Sequence, residues 1–251
     1  MAGKRRLDLY LVEQGLAPSR SRAQALIMAG VVRVEGRVVT KAGAPVKEGA
    51  RVELAGRDHP YVSRGGVKLA GALDHFGLSV KGLRCLDLGA STGGFTDCLL
   101  QRGAARVTAV DVGYGQFAWK LRQDPRVTLH ERINARYLPE DVAPGPFDLV
   151  TADLSFISLT KVLPRAVPRL APGGMILCLV KPQFEAGREA VGPGGVVRDP
   201  AARQAAVDKV ARHLADQGME VLGSCPSPIP GPKGNREVFL LSRALGGGNI
   251  F

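Results

Sequence analysis

One run of residues restricts the fold of this 251-residue chain more than any other. An apolar stretch, Arg84-Cys-Leu-Asp-Leu88, enters Gly89-Ala-Ser-Thr-Gly-Gly94, and a helical pattern follows over 95–102. A second apolar stretch at 106–110 ends on Asp111. Strand, glycine turn, helix, strand and acid make the unit with which open α/β sheets bind nucleoside-bearing ligands. Glycines let backbone approach the ligand closely, and the acid accepts hydrogen bonds from ribose hydroxyls. The separation of Gly89 and Asp111 matches the roughly 20 residues that such a unit requires.

Other uses of a glycine turn fit less well. A phosphate-binding P-loop needs Lys and then Ser or Thr after its last glycine, whereas Phe95 follows Gly94. Gly89-Ala-Ser91-Thr-Gly93 has the spacing of a hydrolase nucleophile elbow, which needs a histidine near a strand end. His213 falls mid-helix and His130 precedes Glu131-Arg132. A nicotinamide oxidoreductase shares the ribose logic but would use G-x-G-x-x-G. S-adenosylmethionine carries no pyrophosphate and needs no such spacing, so a methyltransferase suits the turn best.

The chain beyond the turn alternates in the same way. Strands are expected at 84–88, 106–110, 147–152 and 175–180, the last two ending on Asp153 and Lys181. Helices are expected at 158–170, before Pro172-Gly173-Gly174, and at 199–217, with Asp199 as cap and Pro200 first. Strands at 219–222 and 237–241 form an antiparallel pair at one edge. The expected fold class is therefore α/β, a Rossmann-like class I methyltransferase sheet, preceded by a small α+β module. With 45% hydrophobic and 23% charged residues the chain can bury a core. Cys85, Cys98, Cys178 and Cys225 form no C-x-x-C pair and lie in apolar runs, so no metal site or disulfide is expected. The longest apolar run has six residues, and Asp8 and Glu13 interrupt any signal-like start. A soluble, cytoplasmic protein is expected, without membrane partners.

The net charge of +11 points to an anionic partner, and residues 1–59 carry +5 of it. There, a helix from Leu7 to Gln14, a helix from Arg20 to Ala29 capped by Ser19, a hairpin over 31–39 and a strand at 51–54 form a basic module. Arg5, Arg6, Arg20, Arg22, Arg33 and Arg37 are its candidate phosphate ligands, the alternative being a solvated basic face. The string from Ser19-Arg-Ser-Arg22 through Gly30 to Gly36 resembles the RNA-binding module named after small-subunit ribosomal protein S4. That resemblance implies a domain at 1–59 that docks structured RNA, and a second domain at 60–251.

Polar residues at the carboxyl ends of apolar strands are the candidate chemistry. Asp153 and Lys181 end such strands, Glu237 begins one, and Lys68 begins a helix before the first strand. Two structural ion pairs would also account for them. Ser63-Arg-Gly-Gly66-Val-Lys68, Leu86-Asp-Leu-Gly89, Ala152-Asp153-Leu-Ser, Val180-Lys181-Pro-Gln-Phe-Glu185 and Asn235-Arg-Glu237 resemble the TlyA family. These are FtsJ-type ribosomal RNA ribose 2′-O-methyltransferases, also described as haemolysins. The resemblance implies a catalytic tetrad of Lys68, Asp153, Lys181 and Glu237. It implies a cofactor site of Gly89, Ala90, Ser91, Gly93, Asp111, Val112, Asn134 and Asp153, holding S-adenosylmethionine.

A ribose 2′-hydroxyl must lose its proton as it attacks the methyl, and a lysine accepts that proton only in its neutral form. Lys181 is the candidate base and Lys68 the neighbouring cation, with Asp153 and Glu237 orienting them; the carboxylates' charge opposes a lowered pKa, so which lysine is the base stays open. The linker Gly56-Arg-Asp-His-Pro60-Tyr-Val62 departs from the arginine-tryptophan-valine type of some members. The chain also ends at Gly246-Gly-Gly-Asn-Ile-Phe251, as in the shorter family type associated with a 23S cytidine alone; 16S rRNA stays open as a second target. A non-catalytic RNA-binding assembly factor and a membrane-active haemolysin are the rival functions.

Overall fold

Three apolar clusters organise the chain, one within the first sixty residues and two on opposite faces of a larger sheet. The computed structural model describes residues 4–17, 19–54 and 59–245. They form two compact units, Met1–Pro60 and Tyr61–Phe251. The linker positions 56–58 and the terminal stretch 246–251 lie outside the described residues.

The first unit contains β1 (Lys4–Arg6), α1 (Leu7–Glu13), α2 (Arg20–Met28), β2 (Val32–Val34), β3 (Arg37–Val38), β4 (Pro45–Lys47) and β5 (Val52–Leu54). Ser19 caps α2 by accepting the Arg22 N–H at 3.3 Å, which satisfies a helix-end donor. β2 lies between β3 and β5, both antiparallel to it, as the hairpin pattern requires. Leu7 and Leu11 of α1 bury against Ile27 of α2, Val32 and Val46. The β1–β4 ladder was not expected, because three charged residues carry no period-2 pattern.

The second unit contains α3 (Arg64–His75), β6 (Arg84–Leu88), α4 (Gly94–Gln101), β7 (Arg106–Val110), α5 (Trp119–Arg122), β8 (Val127–His130) and β9 (Phe147–Ala152). It continues through α6 (Leu163–Ala166), β10 (Leu170–Val180), α7 (Pro182–Glu185), α8 (Pro200–Asp216), β11 (Met219–Pro226) and β12 (Val238–Ala244). The seven strands lie in the order β11-β12-β10-β9-β6-β7-β8. Only β12 runs against the others, which places the expected antiparallel pair at one edge. Alternate residues of each buried strand feed opposite cores. Leu177 and Leu179 join the cluster under α3 and α4, while Ile176, Cys178 and Val180 join the one under α6 and α8.

Three expectations are corrected. The helix expected at 158–170 is broken into a 3-10 turn, α6 and a second 3-10 turn, because Pro164 and Pro168 cannot donate within a helix. β10 starts at Leu170 rather than 175, and its ladder with β9 shifts register between Leu170 and Met175, across the Pro172-Gly-Gly174 irregularity. α5 and β8, four residues each, went unseen for lack of length. The four cysteines are buried and unpaired. Burial pushes the thiols of Cys85 and Cys178 up to about 12 and that of Cys98 to about 11, so they stay protonated.

Candidate active site

The sheet register brings the four tetrad candidates to one edge. Val180 of β10 pairs with Val238 of β12, so the flanking residues Lys181 and Glu237 fall side by side. Ala152 of β9 pairs with both Cys178 of β10 and Leu88 of β6, which sets Asp153 and Gly89 at the same edge. Lys68, buried on α3, donates to Glu237 Oε2 at 2.5 Å. Lys181, also buried, donates to Ser155 Oγ at 2.9 Å and stands 2.6 Å from Asp153 Oδ1. The four candidates thus form two ion pairs, Lys68–Glu237 and Lys181–Asp153, at neighbouring strand ends. Gly231 lies against Glu237, where any β-carbon would overlap the carboxylate.

Beside Asp153 a cleft of about 430 Å³ opens between the ends of β9, β6 and β7. Of the expected cofactor residues, Gly89, Ser91, Asp111, Val112, Asn134 and Asp153 line it. Ala90 and Gly93 do not; Ala90 is buried, and Gly93 packs against Leu121 and Phe117 at φ +93°, where no side chain would fit. Gly89 adopts φ +84°, and a β-carbon there would sit 2.5 Å from the Asp153 carbonyl oxygen. Both requirements are backbone requirements, which is why the turn must be glycine.

Asp111 is fixed by backbone: its carboxylate accepts the Ser91 N–H at 2.7 Å and the Gly113 N–H at 2.6 Å. Each oxygen keeps a second lone pair for a ligand hydroxyl. Asn134 Oδ1 accepts the Arg136 N–H, leaving its amide N–H groups for a ligand. The donor set therefore fits a nucleoside. Below the turn, Asp87 is fully buried between Thr96 Oγ1 at 2.7 Å and Thr151 Oγ1 at 3.1 Å. Desolvation pushes its carboxyl up to about 7.

The remaining wall was missed in the sequence. Gln116 and Ile133 follow β7 and β8, and Leu154, Ser155, Phe156 and Ile157 follow Asp153. Phe156 is 91% exposed, has φ +65°, and rests on Phe184 with ring centroids 5.3 Å apart. Its exposure is the signal, and only the folded chain carries it. A more open depression of about 490 Å³ around Asp74, Leu78 and Arg102 lies at the other end of the strands, and Asp74 and Arg102 neutralise each other there.

In the first unit, the candidate arginines divide. Arg6 and Arg20 both donate to Asp8 at 3.0 Å, and Asp8 is fully buried. The Arg6 hydrogen bond holds that carboxyl well below the usual range against the cost of burial. Arg5 pairs with Glu13, and Arg33 donates to the Gly36 carbonyl. Arg22 and Arg37 are exposed and have no ion pair among the described residues.

Residues 61–244 match the model of FtsJ-like methyltransferases, and residues 5–52 match that of the S4 domain. A 16S/23S rRNA (cytidine-2′-O)-methyltransferase TlyA of Mycobacterium tuberculosis is 52% identical, over 97% of this chain and 91% of its own. The chain belongs to the TlyA group of FtsJ-like methyltransferases. A 23S rRNA (cytidine-2′-O)-methyltransferase TlyA of Campylobacter jejuni is 38% identical over 71% of this chain and 69% of its own. Among solved structures, a Streptococcus thermophilus protein described as a hemolysin superposes with a TM-score of 0.76 at 43% identity, covering 97% of this chain and 90% of that one. No described helix is long and apolar enough to cross a membrane.

Proposed function

We propose that the chain methylates a ribose 2′-hydroxyl of ribosomal RNA, on a cytidine of 23S rRNA, with S-adenosylmethionine as donor. Residues 1–59 dock the RNA, and residues 60–251 carry the chemistry. The observation that carries this reading is the Lys181–Asp153 contact at the wall of a nucleoside-sized cleft. The relatives' names support the rRNA target, one naming both subunits and one the large subunit alone. Such a substrate places the work in the cytoplasm.

When bound, S-adenosylmethionine supplies an electrophilic methyl on a sulfonium. Asp111 would hold its ribose hydroxyls, Asn134 its base, and Gly89 and Ser91 the path between, with Val112 packing alongside. Lys181 adjoins the cleft through Asp153, whereas Lys68 and Glu237 stand one column further away. Lys181 is therefore the group that takes the 2′-hydroxyl proton, and Asp153 orients it. Lys68, in its ion pair with Glu237, is the neighbouring cation. Phe156 offers a flat apolar face at the cleft mouth, on which an unstacked base can lie. Aligning hydroxyl and methyl in line supplies much of the rate.

The test is labelled methyl donor given to ribosomal subunits with wild type and Lys181→Ala, followed by mapping of ribose methylation on 23S and 16S rRNA. Wild type labels a 23S cytidine, and Lys181→Ala loses on the order of 10²–10⁴-fold in rate while still binding the subunit. RNA binding without any label marks an assembly factor, and leakage of vesicles marks a lytic protein. Undiminished label from Lys181→Ala removes that lysine as the base.

A further inference from the structure

Glu185 ends α7, a single turn, and is 4% exposed. Both of its carboxylate oxygens are committed to one neighbouring segment. Oε2 accepts the Ser158 hydroxyl at 2.5 Å, and Oε1 accepts the Leu159 N–H at 2.6 Å. Its charge is answered by Lys209 of α8, which donates to the Glu185 carbonyl at 2.9 Å and reaches Oε2 at 3.5 Å. Two more contacts from the same turn run to the same loop: Lys181 to Ser155, and Phe184 to Phe156. The tetrad makes no use of Glu185, and Glu185 does not line the cleft.

The loop it grips is under strain. A left-handed backbone is unfavourable at a residue with a β-carbon, and Phe156 has φ +65°. Such a conformation persists only where the surroundings over-determine it. Buried carboxylates are costly unless fully hydrogen-bonded, and this one is bonded to the far end of the 153–159 segment.

We infer that Glu185 is a positioning residue for methyl transfer: clamping Ser158 and Leu159, it holds the strained loop that sets Asp153 against Lys181 and Phe156 at the cleft mouth. The inference rests on the proposed function, since it gives that loop its purpose. The clamp itself is a property of the free protein.

The full chain is compared with Glu185→Ala, Glu185→Gln and Ser158→Ala. Amide hydrogen exchange reads the clamp without any RNA. In Glu185→Ala the Leu159 amide and residues 154–158 exchange about tenfold faster or more, because a charged acceptor is lost. With ribosomal subunits, kcat falls about tenfold or more while Kd for the methyl donor changes less than about threefold. Glu185→Gln keeps an acceptor and recovers most of kcat. Combining Glu185→Ala with Phe156→Ala costs less than the two losses together. Should Glu185→Ala fold poorly, Ser158→Ala releases the loop from its own side and lowers kcat by about threefold.

Unchanged exchange at 154–159 overturns the clamp. Faster exchange with undiminished kcat, strictly additive losses, or a Gln variant as weak as Ala overturns the positioning role. A wild type that labels no RNA sinks the proposed function instead, and the exchange measurement still decides the clamp.

Discussion

Asp87 lies one residue from the glycine turn in sequence, yet its chemistry is set by what lies around it. It sits wholly buried between two threonine hydroxyls, with its carboxyl raised to about 7 by desolvation. In the unfolded chain it would titrate in the ordinary carboxylate range. Between about pH 4 and 7 the folded state therefore holds a proton that the unfolded state has released, and stability falls as pH rises across that window. A shift of this size corresponds to roughly 4 kcal/mol lost by pH 8. Asp87→Asn should remove that loss, flattening the denaturant midpoint between pH 5 and 8; a variant as pH-dependent as wild type would show the carboxyl to be charged in the fold. Asp8 illustrates the opposite sign. Arg6, Gln24 and Arg20 hold its carboxyl low, so its contribution is present at neutral pH and is lost only in acid. Neither direction was legible in the sequence, where both residues are only acids near apolar neighbours.

Among the elements, the turn after β6 is the one whose residue types the backbone dictates. At Gly89 a methyl group would meet the Asp153 carbonyl, and φ is +84°. Gly89→Ala should cost about 2 kcal/mol or more and abolish methyl transfer, because it displaces the loop that carries Asp153. Thermal denaturation with an activity assay checks both. The cap of α8 is a contrasting case. Asp199 accepts the N–H groups of Ala201 and Ala202 at 3.0 and 3.2 Å and does not line the cleft. Asp199→Ala should cost about 1 kcal/mol in the denaturant midpoint and leave kcat unchanged. Both features were legible, since glycine turns and Asp-Pro caps are local signals. The broken stretch at 159–169 is less legible: Leu159, Val162, Leu163 and Ala166 recur at helical spacing, and only the missing donors of Pro164 and Pro168 break the helix. β8 has too few residues to show any period, so Ile133 and the wall it supports were invisible.

For the whole molecule, the excess charge of +11 is only partly available to a partner. Arg5, Arg6 and Arg20 spend theirs on Glu13 and Asp8, which leaves Arg22 and Arg37 as the exposed, unpaired arginines of the first unit among the described residues. The Arg22→Ala/Arg37→Ala double variant should weaken binding to ribosomal RNA and reduce the slope of log affinity against log salt by up to about 2. Its Kd for the methyl donor and its melting temperature should not change. Arg20→Ala should behave differently, lowering stability as well, because it leaves Asp8 buried with one fewer partner.

The order of elements, the nucleoside-type turn and the basic module are legible in the sequence alone, because each rests on local patterns: period, turn chemistry and charge; the four candidate residues that the structure gathers at one sheet edge came from the family resemblance. Tertiary structure alone decided the rest. Which lysine faces which carboxylate depends on the register of β10 against β12 and β9. Which arginines stay free depends on a buried aspartate 12 residues from one of them. That Glu185 grips Ser158, 27 residues away, depends on two loops meeting at one sheet edge. Long-range register and burial are cooperative properties of the packed core, and no local window of residues contains them.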